Sequence, residues 1–271
     1  MTAAAPTAPT HTNLARPGGL LTDLRSVALR ALRLTMREPE AVLPALIIPL
    51  FFFVVNVGAL QQFVEASAPP GFSYKAFQLP LAIITAVTGV SRASSLVVDI
   101  QDGYFDRLLL TPIRRISLLL GLMVADFVLV VVLTIPVLIL GFVLGVRFET
   151  GPLGVLVFIL LSGFWGLVFT GFPYAIALKT GNPAAVNSSF LLFFPFVFLT
   201  TAFLPKEALT GWLAAIATVN PVTYMLAALR SLILVGWDWT AIGQSVVAIA
   251  VMGAVSMPLA FAALRGRLKR G

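Results

Sequence analysis

The chain has 271 residues, 59% hydrophobic and only 11% charged, far more apolar than a soluble core of that size requires. Its formal net charge of +7 comes from basic residues dispersed at the ends of apolar runs, which argues for membrane orientation and against a nucleic-acid surface. Cysteine is absent, which excludes disulfides, thiolate catalysis and Cys-ligated zinc or iron–sulfur centres. The single histidine, His11, lies near the N-terminus, so no imidazole base or metal site is expected within the apolar runs.

Residues 1–19 are rich in Ala, Pro and Thr and read as a disordered tail. No cleavable leader is expected, because the first arginine is Arg16 and the first long apolar run begins at Ala41. In residues 20–37, Arg30, Arg33 and Arg37 recur at i, i+3 and i+7, while Leu24, Val27, Ala28, Ala31 and Leu34 gather elsewhere on the wheel. Together with Arg25 they predict a basic amphipathic helix lying along a membrane surface. Apolar stretches follow at about 41–60, 76–98, 118–145, 154–178, 184–204 and 241–264. A helix rises about 1.5 Å per residue, so about twenty residues cross a hydrocarbon core of roughly 30 Å.

Between the fifth and sixth stretches, residues 205–240 are too apolar for a solvated loop. They read as two short helices, 209–218 and 222–235, split by Asn220-Pro221, neither able to span alone. Trp212, Trp237 and Trp239 would anchor them at headgroup level. The predicted fold is an all-α integral membrane protein with six transmembrane helices, an N-terminal interface helix and short re-entrant helices before the last span.

Six spans put both termini on one side. Arg16, Arg25, Arg30, Arg33, Arg37, Arg107, Arg114, Arg115, Lys179, Arg265, Arg267, Lys269 and Arg270 then share that side, against Lys75, Arg147, Lys206 and Arg230 on the other. This bias predicts a multi-pass plasma-membrane protein with both termini cytoplasmic. Every span carries a proline (Pro44 and Pro49, Pro80, Pro136, Pro173, Pro195, Pro258), which either serves helices that change shape or is simply tolerated.

The polar interruptions are few. Arg92 and Asp126 fall at depths of about 10 and 14 Å on antiparallel neighbouring spans, which suggests a buried ion pair. Snorkelling of Arg92 alone and a proton relay at Asp126 are the alternatives. Gly141 and Gly145 form a GxxxG pattern that permits close helix contact. Phe190, Phe194 and Phe198 share a face at i, i+4 and i+8, either facing lipid or lining an apolar substrate path or subunit seam. The segment between spans two and three, DIQDGYFDRLLLTPIRRIS from Asp99 to Ser117, is the longest polar stretch among the spans. It surrounds Tyr104, Phe105, Leu108, Leu109 and Leu110 with charges of both signs, and asks for a partner surface or a lipid interface.

These features resemble a permease subunit of the ABC-2 type export family, near its drug-resistance and polysaccharide or lipid exporter branches. The resemblance is carried by the amphipathic helix, by Asp102-Gly103-Tyr104-Phe105-Asp106-Arg107-Leu108 followed by Thr111-Pro112-Ile113-Arg114, and by Asn220-Pro221-Val222-Thr223-Tyr224 with Arg230. It extends from about Leu20 to the C-terminus, so residues 20–271 would form one transmembrane domain. It implies that the 99–117 segment is a coupling helix docking into a cytoplasmic ABC ATPase. It further implies that the N-terminal helix lies near the same ATPase, that two permease subunits, alike or different, face each other across the substrate, and that the short helices cap the outer end. No G-x-x-x-x-G-K-S/T phosphate loop occurs, so ATP and Mg are expected on the partner ATPase, with no cofactor, metal or catalytic residue here. Few polar groups lie in the spans, so the expected cargo is a drug, a lipid or a glycan precursor. The rival classes are a proton-coupled secondary transporter using Asp126 and an intramembrane enzyme. The latter would need paired acids, metal ligands or a Ser–His dyad that the spans do not offer.

Overall fold

In hydrocarbon every backbone N–H and C=O must find an internal partner, so apolar runs of this length can only be helical. A computed structural model of the chain describes residues 19–37, 43–109, 115–203 and 209–269, and its regular elements there are all helical. The expected tail (1–18), Pro112 and Arg114 lie outside the described residues, as do the side chains of Arg37, Asp106 and Phe190.

Helix α1 (Leu20–Arg37) buries Ala28 and Ala31 and leaves Arg25 and Arg33 exposed, as the amphipathic pattern requires. It packs on α6 (Arg115–Val143), where Gly121 meets Val27 so closely that an added Cβ would sit 2.7 Å from it. Helix α2 (Leu43–Ser67) crosses once and leaves Ile47, Ile48, Phe51 and Phe52 uncovered. The second span divides into α3 (Tyr74–Thr88) and α4 (Ala93–Gln101), interrupted at 89–92. Gly103, at φ +69°, then turns the chain into the short α5 (Tyr104–Leu109). The fourth span is α7 (Gly151–Phe169) continued by α8 (Gly171–Thr180). Two short helices, α11 (Gly211–Val219) and α12 (Pro221–Leu234), meet at 80°, and α13 (Trp239–Leu268) closes the bundle.

Five crossings have the length and apolarity to span: α2, α3–α4, α6, α7–α8 and α13. The fifth predicted span departs from a regular helix. It is α9 (Pro183–Ser188), a 3-10 turn (Ser189–Leu192) and α10 (Phe193–Phe198), followed by non-helical chain. As one helix, Pro183–Phe198 would reach only about 24 Å. Pro195 accounts for part of the interruption, since it cannot donate to the preceding turn and its ring crowds the carbonyl there. The segment nevertheless passes from pole to pole. It starts just after Gly181, whose carbonyl accepts from Gln101 at the basic end of span two, and near its end Thr201 and Ala202 meet Arg230 beside Phe77, at the opposite end.

The bent α11–α12 pair does not add a crossing. The start of α12 is tied at the level of Phe196 and Leu199 through Asn220, and its end meets the α6–α7 loop, where Thr150 Oγ1 donates to the Leu232 carbonyl at 2.7 Å. The pair is therefore a re-entrant element, in which α12 is almost wholly buried through Val222, Met225, Leu226 and Leu229. At that far pole Trp237 and Trp239 stack 5.3 Å apart, with Trp212 and Trp239 exposed, as headgroup anchors should be. The other pole carries α1, the Gly181 turn and the Arg265–Arg267 end of α13.

Candidate transport pathway and coupling arm

The 99–117 segment begins as a braced arm. Arg30 of α1 donates to both oxygens of Asp99, at 3.2 and 3.4 Å, and its guanidinium lies 3.9 Å over the Tyr104 ring. Gln101 Nε2 donates to the Gly181 carbonyl at 2.9 Å. Arg30, read from sequence as one of a row of surface cations, is instead the strut that joins the amphipathic helix to the arm. Phe105 likewise differs from expectation. It is 3% exposed and belongs to the chain's own core with Ala31, Val97 and Leu118, so it offers no side chain to a partner. Among the described side chains of α5, Phe105 takes the deeply inward position. Gln101, Asp102 and Arg107 face outward, with Tyr104 and Leu108 partly covered.

Arg92 and Asp126 do meet, but not as the expected side-chain ion pair. Arg92 is the N-cap residue of α4, and its backbone N–H donates to Asp126 Oδ1 at 3.1 Å. Asp126 Oδ2 accepts from the Tyr174 hydroxyl at 2.7 Å. The carboxylate therefore supplies the acceptor that the interrupted second span lacks at the start of α4. Tyr174 was missed from sequence, although the signal was available. It lies six residues before Thr180, a depth of about 9 Å, level with Arg92.

The Asn-Pro signature performs the complementary task. Asn220 Oδ1 accepts from the Val222 N–H at 3.0 Å, capping α12, while its Nδ2 donates to the Phe196 and Leu199 carbonyls at 2.7 and 2.9 Å. Pro221 occupies the first turn, where no donor is needed. The Tyr224 hydroxyl donates to the Thr218 carbonyl across the bend. Arg230, 8% exposed, donates to the carbonyls of Phe77 (3.0 Å), Thr201 (2.8 Å) and Ala202 (3.2 Å), and its guanidinium sits 3.5 Å over the Phe77 ring. It binds three elements at the far pole.

Between α2, α3 and α9–α10 lies a cavity of about 650 Å³. Phe52, Phe53, Phe194 and Phe198 form an aromatic wall, with Phe194 and Phe198 stacked 5.9 Å apart. Gln78, Thr85, Thr88, Ser91 and Asn187 supply uncharged polar groups, and among the described residues no ionisable side chain lines it. Phe194 and Phe198 thus stand on this cavity. Such a lining accommodates an apolar or amphipathic molecule and offers an ion nothing. Among the described residues no group of three His, Cys, Asp or Glu side chains gathers to hold a metal.

A helical membrane bundle with an uncharged cavity among its helices fits a transport subunit. The chain belongs to the ABC-2 type transporter family, matching it over residues 22–234. It is 28% identical over 206 residues to the daunorubicin resistance ABC transporter permease protein DrrB1 of Streptomyces coeruleorubidus, covering 75% of this chain and 72% of that one. It is 27% identical over 195 residues to the probable doxorubicin resistance ABC transporter permease protein DrrC of Mycobacterium tuberculosis, covering 72% and 70%. A putative transport permease, ycf38 of Cyanophora paradoxa, is 26% identical over 200 residues, covering 72% and 69%. The chain is a transport subunit and not an enzyme, with ATPase activity in a separate subunit.

Proposed function

We propose that this chain is the membrane half of an ATP-driven exporter that carries a hydrophobic or amphipathic compound across the plasma membrane. Drugs, lipids and glycan precursors fit the chemistry. The observation that carries the reading is the uncharged cavity, one wall of which, α3, continues through a four-residue interruption into the arm. The names of its drug-resistance relatives agree with it. The basic pole lies in the cytoplasm, and the ABC ATPase docks on the outward Asp102 and Arg107 of the arm and the half-covered Tyr104 and Leu108, together with Gly103, Asp106, Pro112 and Arg114. A second permease subunit faces the cavity side, where α2 leaves its apolar surface uncovered. The proton-transporter alternative is weakened at Asp126, because both carboxylate oxygens are already engaged.

The test is purification with a candidate ABC ATPase, followed by reconstitution. Hydrolysis stimulated by hydrophobic compounds, with ATP-dependent uptake into inside-out vesicles, is the expected result. Uptake driven by a proton gradient without ATP would overturn it. Orientation is checked separately, on a chain with no native cysteine. Leu153→Cys should react with an impermeant thiol reagent from outside the cell and Thr180→Cys should not.

A further inference from the structure

The hydrophobic interior holds two large clusters and a small third one of Val90, Leu129 and Leu133. One large cluster, toward the far pole, is built around Phe158, Trp165, Phe193 and Leu229; the other, toward the basic pole, around Ala93, Phe105, Met123 and Tyr174. Four crossings contribute to both clusters. Span two changes cluster between Val87 and Ala93, α6 between Ala125 and Val130, α7–α8 between Phe169 and Tyr174, and α13 between Met252 and Ala260. At the boundary lie the buried polar residues Arg92, Asp126, Thr170 and Ser256, with the Tyr174 hydroxyl bonded among them, beside the small Val90–Leu129–Leu133 cluster and Met257, which touches both large clusters.

Helix interruptions fall in the same boundary layer. Span two is broken at 89–92, α7 gives way to α8 at Thr170, and α13 carries Pro258. The Ser256 hydroxyl donates to the Val168 carbonyl, and Gly171 approaches Ser256 so closely that a Cβ would lie 2.7 Å from its carbonyl carbon. Only α6 passes this level without a break or proline, and Asp126 stands on it.

The cavity straddles the layer. Gln78, Thr85 and Phe198 lie on the far side, while Ser94 and Asn187, bonded to each other at 2.9 Å, lie on the basic side. A tilt of one block against the other must therefore reshape the cavity. Close-packed cores move as units rather than deforming, so motion collects where packing is interrupted and hydrogen bonds can exchange.

We propose that this boundary layer is an articulation between two rigid blocks, and that Asp126 is the positioning residue that sets their angle. It does so by holding the N–H of Arg92, the N-cap of α4, and the Tyr174 hydroxyl of α8 against the unbroken α6. The basic-pole block carries α1, α4 and α5, so a push on the arm turns the block as a whole. The inference rests on the reading that an ATPase acts on that arm.

Spin labels on the cysteine-free chain, in the reconstituted permease–ATPase complex, test the motion. The pair Leu153→Cys with Thr180→Cys crosses the layer. Thr22→Cys with Thr180→Cys stays in the basic block, and Leu153→Cys with Val235→Cys stays in the far block. Adding a non-hydrolysable ATP analogue should move the first distance and leave the other two unchanged. Changes within the blocks as large as the change across the layer, or no change across it, would overturn the proposal. Asp126→Asn should lower the number of molecules carried per ATP hydrolysed by about tenfold, and Asp126→Glu should restore part of that ratio. An unchanged ratio in Asp126→Asn counts against the positioning role. If Asp126→Asn does not accumulate, the label distances in the otherwise unaltered chain decide. If no ATPase pairs with the wild-type chain, the proposed function fails, and this inference fails with it.

Discussion

Span two and the 183–203 segment both lose their helix partway across the membrane, yet opposite chemistry holds the two breaks. At 89–92 the group left without a partner is a donor, the N–H at the start of α4, and a carboxylate from α6 accepts it. At 196–202 the groups are acceptors, and they are met by the amide of Asn220 and the guanidinium of Arg230. The difference teaches that an irregular stretch persists in this protein where another element supplies a side chain of matching polarity. The two breaks also differ in stiffness. Asn220 and Arg230 make several bonds each at the far pole, whereas the α4 break has one carboxylate from another helix, on the Arg92 N–H, and a local hydroxyl, Ser91 Oγ, on the Ala93 N–H.

That comparison can be broken most severely at Arg230. Arg230→Leu leaves the Phe77, Thr201 and Ala202 carbonyls without their donor in an apolar setting, a loss of about 3 kcal/mol or more. Folded yield by size-exclusion chromatography in detergent should collapse. Arg230→Lys should recover little, since an ammonium lacks the planar fork. Asn220→Ala comes next, at about 2 kcal/mol for two carbonyl bonds and a cap, read from thermal unfolding. Asn220→Asp should do no better, although it keeps the cap, because a carboxylate cannot donate to Phe196 and Leu199. Tyr174→Phe removes one bond to Asp126 and should cost about 1 kcal/mol in the same assay. The smallest effect falls outside the apolar layer. Arg30→Ala breaks a partly exposed pair and should lower stability by about 0.5 kcal/mol or less, an amount that salt erases.

Much of this architecture was legible from hydropathy and charge. Runs of apolar residues have one structural outcome in lipid, which is why α2, α6 and α13 fall close to where the sequence places them. The re-entrant pair was legible for a related reason: two apolar pieces, each too short to cross, are split by Asn-Pro. The interruptions were less so. Proline marks every span, and nothing local distinguishes Pro195, beside a real break, from Pro136, within an unbroken helix. At the site, depth arithmetic brought Arg92 and Asp126 together, but it treats residues as side chains. It could not foresee that the backbone N–H of Arg92 would make the bond. Phe105 escaped for another reason. A short amphipathic helix read alone asks for a partner protein, and only tertiary packing reveals that α1 and α4 already cover it.

The contact between Val27 and Gly121 also sets an order of assembly. The amphipathic helix leaves the ribosome first, yet the glycine that receives it is made about ninety residues later. In the interval α1 has no packing surface of its own. Its exposed Leu21 and Leu29, beside Arg25 and Arg33, suit it to wait on the lipid headgroups until the third crossing is in place. Docking of α1 on α6 then reports that three crossings have inserted. A side chain at residue 121 would push α1 away from α6 at Val27, and with it the strut that α1 gives the arm.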